Sequence, residues 1–274
     1  MNPAPYTRFV ILGAGRSGTT FLQSLLSSHP DIVCFGEIFH LLSRRGHDLD
    51  EIVRDPIGYV SNTVYRAYPG QTRAVGYKMI YTQLGAGSFF LSEMDTAHVS
   101  LATQKKRDDF SAFMAATYDL AEVRERFAAF ADFIRADRDL RVIHIQRANK
   151  LAMFLSLRLA GLTGAWNSMA GESVNHSVIL DPADCERFFT ATEEREGACG
   201  ELFADHPVLV VSYDDLAGDT KSCMAGVQEF LGVQEARLHS PLKKQGQRNV
   251  ADAISNFAEL KAHFSGTRWE RFFS

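Results

Sequence analysis

The segment Gly13-Ala14-Gly15-Arg16-Ser17-Gly18-Thr19-Thr20 joins the apolar run Phe9-Val10-Ile11-Leu12 to a stretch with helical spacing at Phe21, Leu22, Leu25 and Leu26. A strand that feeds a glycine-rich turn and then a helix N-terminus gathers unpaired backbone N–H groups and the positive end of the helix dipole at one point. Such a point binds phosphate or sulfate. On this segment alone several readings stay open. Gly13, Gly15 and Gly18 satisfy the G-x-G-x-x-G pattern of a dinucleotide fold, with Glu37 about 20 residues on as its ribose-binding acid. Gly13 and Gly18 also give the G-x-x-x-x-G of a nucleotide triphosphatase loop, but Thr19 stands where that loop requires lysine. An ordinary glycine turn between strand and helix is the bland alternative.

The elements that must position this loop follow from hydrophobic patterning. Ile32-Val33-Cys34-Phe35 reads as a second strand after the turn at His29-Pro30-Asp31 and ends at Gly36-Glu37. Ala74 to Ile80 reads as a third, Leu140 to Ile145 as another, and His206 to Val211 as the last. Between them, Val123, Phe127, Phe130, Phe133 and Ile134 share one helical face, a helix starts near Leu151, and Asp181-Pro182 caps a helix running to about Phe203. A helix after Tyr213-Asp214-Asp215-Leu216 ends near Leu231-Gly232, and a final helix spans Ile254 to His263. Phe39 to Gly58, Gln83 to Thr117 and Gly161 to Ser177 are read as loops facing a substrate. Alternating strands and helices imply an α/β fold with a mostly parallel central sheet.

With 274 residues, 46% of them hydrophobic, the chain can bury a large core as one domain. A formal net charge of −4 provides no general field for nucleic acid or anionic membrane, so any anion site must be a local pocket. Cys34, Cys185, Cys199 and Cys223 form no C-x-x-C pair, which fits a reduced compartment. No apolar run approaches the roughly 20 residues that span a bilayer, so a cytoplasmic protein without an integral membrane segment is expected. The sequence contains no G-x-S-x-G and no H-E-x-x-H.

Arg16-Ser17-Gly18-Thr19-Thr20 resembles the 5′-phosphosulfate loop of the sulfotransferases, in which a basic residue precedes Ser-Gly-Thr-Thr. Three further blocks resemble that superfamily, most closely the bacterial enzymes related to nodulation-factor and other carbohydrate sulfotransferases. Arg141 to Arg147 with Ser156 is similar to the 3′-phosphate block, a strand ending in arginine followed by a serine on the next helix. Here Ser156 lies nine residues beyond Arg147, one more than is common in the animal cytosolic enzymes. Val208 to Gly232 is similar to an architectural block, in which Asp214 and Asp215 are expected to cap a helix and not to hold a metal. Lys243 to Trp269 resembles the bacterial carboxy-terminal ending.

The resemblance implies a P-loop-like three-layer sandwich and an O-sulfotransferase. It would move a sulfuryl group from 3′-phosphoadenosine-5′-phosphosulfate to a hydroxyl of a carbohydrate or glycoconjugate, with no metal. In that scheme Gly15, Arg16, Ser17, Gly18, Thr19 and Thr20 hold the 5′-phosphosulfate, and Arg16 also stabilises the leaving oxygen. Arg147 and Ser156 hold the 3′-phosphate, with Lys244 and Arg248 contributing from a basic loop or else lining a solvated face. Glu37, at the carboxyl end of the second strand beside the glycine loop, becomes the general base or, failing that, a structural ion-pair partner. Lys78 and His40 are the acceptor-side candidates, Lys78 also being readable as a strand-end surface lysine, and His144 is expected to be a packed core histidine. The competing functions are an oxidoreductase binding NAD or FAD, a P-loop kinase, and a nucleotide-binding module without turnover.

Overall fold

A computed structural model describes residues 6–44, 46–68, 70–83, 101–164, 176–242 and 249–274. The first half runs β1 (Thr7–Gly13), α1 (Thr19–Leu26), β2 (Ile32–Glu37), α2 (Gly46–Arg54), α3 (Pro56–Tyr59) with a π-helical continuation, β3 (Ala74–Ile80) and a 3-10 turn at Tyr81–Gln83. The second half runs α4 (Leu101–Thr117), α5 (Leu120–Ala136), β4 (Arg141–Gln146), α6 (Lys150–Thr163), α7 (Pro182–Leu202), β5 (Val208–Ser212), α8 (Tyr213–Gly218), α9 (Thr220–Leu231) and α10 (Phe257–Phe264).

The strands form one five-stranded sheet in the order β2-β3-β1-β4-β5. Every pairing in it is parallel. Parallel strands covered on both faces have no polar side, so they read as continuous apolar runs. In β1, Val10 and Leu12 face a core built with Phe127, Phe130 and Ile134 of α5 and with Ile52 and Val53 of α2. Phe9 and Ile11 face the opposite core, with Leu22 and Leu25 of α1 and Met224 and Val227 of α9. The result is a three-layer sandwich. A third cluster joins α6, α7 and α10 to the carboxy terminus through Phe154, Phe189, Phe264, Trp269 and Phe272. Among the described residues no helix is long and apolar enough to cross a membrane.

Several expectations need correction. The stretch from Phe39 to Gly58 is not a loop: Leu49, Ile52 and Val53 are buried on α2, and Asp55 caps α3 by accepting from the Gly58 N–H. Gln83 to Thr117 likewise contains α4, and residues 84–100 lie outside the described residues. Gly161 to Thr163 belongs to α6, which ends at Gly164 with φ 71°, while residues 165–175 again lie outside the described residues. The helix after β5 is two helices, broken at Asp219, whose side chain caps α9. Asp214 and Asp215 do not cap α8. The Ser212 hydroxyl accepts from their backbone N–H groups at 3.2 and 3.3 Å, and the two carboxylates occupy the first turn, where they favour the positive end of the helix dipole.

Replacing Ser212 by alanine therefore removes the cap and is expected to cost about 0.5–2 kcal/mol. Asp214→Asn and Asp215→Asn, which leave the Ser212 cap in place and remove a charge from the first turn, should each cost about 0.3–1 kcal/mol. Urea midpoints of the three variants measure the order, which the opposite ranking would refute.

Candidate active site

The loop between β1 and α1 turns through two left-handed residues. Arg16 has φ 69° and is the single non-glycine residue with positive φ among the described residues. Gly18, the residue before α1, has φ 99°. Ser17 is fully buried, and both its N–H and its hydroxyl donate to the Ala14 carbonyl, at 3.2 and 2.8 Å. Its side chain therefore closes the loop and does not face outward. A Cβ on Gly13 would lie 2.6 Å from the Ser17 hydroxyl and 2.8 Å from the Ile145 carbonyl, and one on Gly18 would lie 2.4 Å from the Tyr213 ring. Gly15 is exposed, and a Cβ there meets nothing within 4 Å. Glycine is thus demanded at 13 and 18 by the protein's own packing, and at 15 it is not.

Two arginines lie at this loop, Arg16 within it and Arg147 against it. Arg147, just past β4, lies over the Tyr213 ring at 4.5 Å and makes a long 3.5 Å hydrogen bond to the Arg16 carbonyl. Arg16 Nε donates to Ser156 Oγ at 2.9 Å, so the nine-residue spacing does bring Ser156 into the loop's reach. Burial, and then the charge of Arg147, lower the pKa of Arg16. Burial also lowers that of Arg147, opposed by Tyr213 and Asp214. An anion between the two would relieve the penalty of holding like charges in a partly desolvated place.

Glu37 reaches the same edge through an irregularity in the sheet. In the β2–β3 register Phe35 pairs with Tyr77 and Glu37 with Lys78, so Gly36 is an extra residue, a bulge. Residues directly paired across parallel strands present their side chains on one face, and the bulge is what sets Glu37 beside Lys78. Lys78 Nζ lies 3.0 Å from Glu37 Oε2 and donates to Thr20 Oγ1 at 3.0 Å. Gln83 Nε2 donates to the other carboxylate oxygen at 2.9 Å. His40 is exposed, its N–H donates to the Glu37 carbonyl at 3.2 Å, and its ring shares the field of Glu37 and Lys78.

The described site residues of the loop after β1, of α1, β2, β3 and α6, and Arg147 after β4 therefore meet at one end of the sheet. Lys244 and Arg248 lie outside the described residues. Thr19 is buried with its methyl group toward Gly13, and Thr20 is half-buried with its hydroxyl on Lys78. Sequence reasoning missed Gln83, which belongs to no motif, and missed Tyr213 as the platform under Arg147, although its place at the end of β5 was a usable signal. It also missed Tyr81, whose hydroxyl makes a short hydrogen bond to Nε2 of the buried His144. His144 is the packed histidine expected. Burial, and then Lys150, depress its pKa to about 4. Lys150 in turn is buried, with its ammonium on Glu196 at 2.6 Å and on the Arg147 carbonyl at 2.8 Å. Asp214 and Asp215 are exposed, and no group of three or more metal-ligating side chains occurs among the described residues.

Residues 8–237 match the model of the Sulfotransferase family. The chain is 26% identical over 268 residues to Nodulation protein H of Rhizobium tropici, covering 97% of this chain and 92% of that protein. It is 24% identical over 273 residues to Nodulation protein H of Rhizobium meliloti, covering 98% and 96%. Among solved structures, a sulfotransferase from Alicyclobacillus acidocaldarius aligns over 93% of this chain and 90% of its own at 17% identity and a TM-score of 0.47.

The left-handed φ and the Tyr213 contact make Gly18→Ala a demanding substitution, expected to destabilise the fold by about 1–3 kcal/mol and to weaken binding of pyrophosphate at the loop. Calorimetry and titration measure both effects, and an unchanged midpoint would contradict the assigned turn. For His144 the sign follows from a folded pKa of about 4 against 6.5 for an unperturbed imidazole. The unfolded chain takes up the proton first, so the neutral histidine's contribution is complete above the unfolded value and is lost as pH falls through the folded one. On the order of 3 kcal/mol is at stake. His144→Gln should flatten the fall in unfolding free energy measured between those two pH values.

Proposed function

The chain belongs to the sulfotransferase family, and from that premise we propose that it moves a sulfuryl group from 3′-phosphoadenosine-5′-phosphosulfate to a hydroxyl of a carbohydrate or glycoconjugate, with residues 1–274 acting as one domain. The observation that carries this reading is the position of Lys78, 3.0 Å from Thr20 of the anion loop and 3.0 Å from the Glu37 carboxylate. It sets a carboxylate base within one ammonium's width of the place where the loop holds an anion. The acceptor class rests on the resemblance to bacterial carbohydrate enzymes. Four free, widely spaced cysteines support a reduced, cytoplasmic setting.

The residues divide the work. Backbone N–H groups of the loop, with Thr20 and the ammonium of Lys78, hold the phosphosulfate. Arg16 would take up the charge that develops on the bridging oxygen as the sulfur–oxygen bond breaks. Arg147 grips the 3′-phosphate with its fork of donors, and Ser156 adds a hydroxyl. Glu37 accepts the proton of the acceptor hydroxyl as the new oxygen–sulfur bond forms, and the negative charge departs on the 5′-phosphate. No metal is needed, since Arg16, Lys78 and Arg147 supply the positive charge. His40 lies on the acceptor side of Glu37.

Thermal-shift titration with adenosine 3′,5′-bisphosphate in the absence of magnesium tests the donor. Stabilisation of about 2.7 kcal/mol is expected at a concentration 100 times Kd, with none from NAD or ATP. A flat response would overturn the assignment. Glu37→Gln is expected to keep that shift while transfer to a neutral oligosaccharide panel drops by about 10²–10⁴. Wild-type turnover in that variant would remove Glu37 from the role of base.

A further inference from the structure

We propose that Gln83 is the positioning residue that holds the base of this reaction, an assignment that rests on Glu37 being that base. Gln83 is 5% exposed and follows β3 in the 3-10 turn that starts at Tyr81. Its amide is fixed at both ends. The Ile80 N–H donates to its Oε1 at 3.1 Å, and its Nε2 donates to Glu37 Oε1 at 2.9 Å. The chemistry of the partners dictates that orientation. A backbone N–H only donates and a carboxylate only accepts, so the flipped amide would lose both bonds.

Glu37 thus has one donor on each oxygen, Gln83 on one and Lys78 on the other. The two donors are not equivalent. Lys78 is a charged group on a flexible stem and already divides itself between Glu37 and Thr20. A phosphosulfate in the loop draws that ammonium toward itself, and Glu37 is then held by Gln83 alone. Gln83 is neutral and tied to the backbone, so it is not drawn away. Neutrality matters for a second reason: an amide orients the carboxylate without cancelling the charge that makes it a base, which a second lysine or an arginine would do. Each carboxylate oxygen has two acceptor sites, and among the described residues one donor meets each oxygen, which leaves a second site on each for the incoming hydroxyl. The turn that carries Gln83 is itself anchored by the buried Tyr81–His144 hydrogen bond.

Transfer from 3′-phosphoadenosine-5′-phosphosulfate to the oligosaccharide panel, with water as the acceptor always present, provides the assay. Gln83→Met keeps the length of the side chain and removes the donor. It should lower kcat by about 10- to 100-fold, as expected for a misplaced catalytic group, with the donor's Kd and the acceptor's KM changed less than about twofold. Gln83→Glu sets a second carboxylate against Glu37. The pair cannot both ionise readily, so the acidic limb of kcat against pH should move up by about one unit or more, with activity recovering on the alkaline side. A residue that merely packs would not lower kcat alone on losing its donor.

A Gln83→Met enzyme with kcat within about twofold of wild type would overturn the proposal, as would a loss confined to KM or donor binding. If Gln83→Met does not fold, the pH profile of Gln83→Glu decides, and an unshifted acidic limb overturns the proposal. Glu37→Gln is measured in parallel. If that variant turns over normally, the assignment of the base has failed and this proposal fails with it. If it is inactive while Gln83→Met is active, only the role of Gln83 falls.

Discussion

The pairing of β1 with β3 on one side and β4 on the other is the constraint from which the site follows. The registers Gly13↔Ile80 and Gly13↔Ile145 bring three strands to an end at one level, so whatever follows each of them shares one small volume. The loop after β1 is held there by packing at its two ends, with Gly13 closed in by Ile145 and Gly18 by Tyr213. Holding Arg16 in a left-handed conformation costs roughly 1–2 kcal/mol in an isolated chain. The fold bears that cost at the turn that joins β1 to α1.

Charge at this edge is arranged against the character of the whole chain. The protein carries a formal −4, yet Arg16, Arg147 and Lys78 meet within one loop's breadth. Desolvation lowers the pKa of both arginines, and the Tyr213 face and Asp214 partly offset it for Arg147. Such a place attracts anions through local geometry, not through a general field, and so remains compatible with an acidic surface elsewhere.

The sheet was legible because buried parallel strands are apolar runs and the helices between them keep their period. The loop was legible because glycine, serine and threonine at fixed offsets have few other uses before a helix. What stayed hidden depended on one-residue detail or on distance along the chain. Ser212, Asp214 and Asp215 are all capping types, and only geometry says which of them accepts. The three apolar positions of α2 fall within nine residues, too short a span for periodicity to stand out. The bulge at Gly36 decides which residue faces Lys78, and no pattern announces it. Ser156 meets Arg16 across 140 residues, a contact that the resemblance, which set Ser156 beside Arg147, did not give. Gln83 carried no signal, because a lone glutamine acquires meaning from the carboxylate it touches.

A base beside an anion site faces an electrostatic conflict. Two like charges about 4 Å apart in a partly buried setting repel by about 4 kcal/mol at an effective dielectric of 20. A carboxylate next to a bound phosphosulfate would be pushed away from it or protonated. Lys78 stands between the two, with Thr20 on one side and Glu37 on the other, and its single positive charge serves both. The same ammonium cannot also fix the direction of the carboxylate once an anion competes for it. Screening and aiming therefore require different groups, a cation for the first and a neutral donor rooted in the backbone for the second. On the proposed reading, that division accounts for Glu37 being met by a lysine on one oxygen and a glutamine on the other.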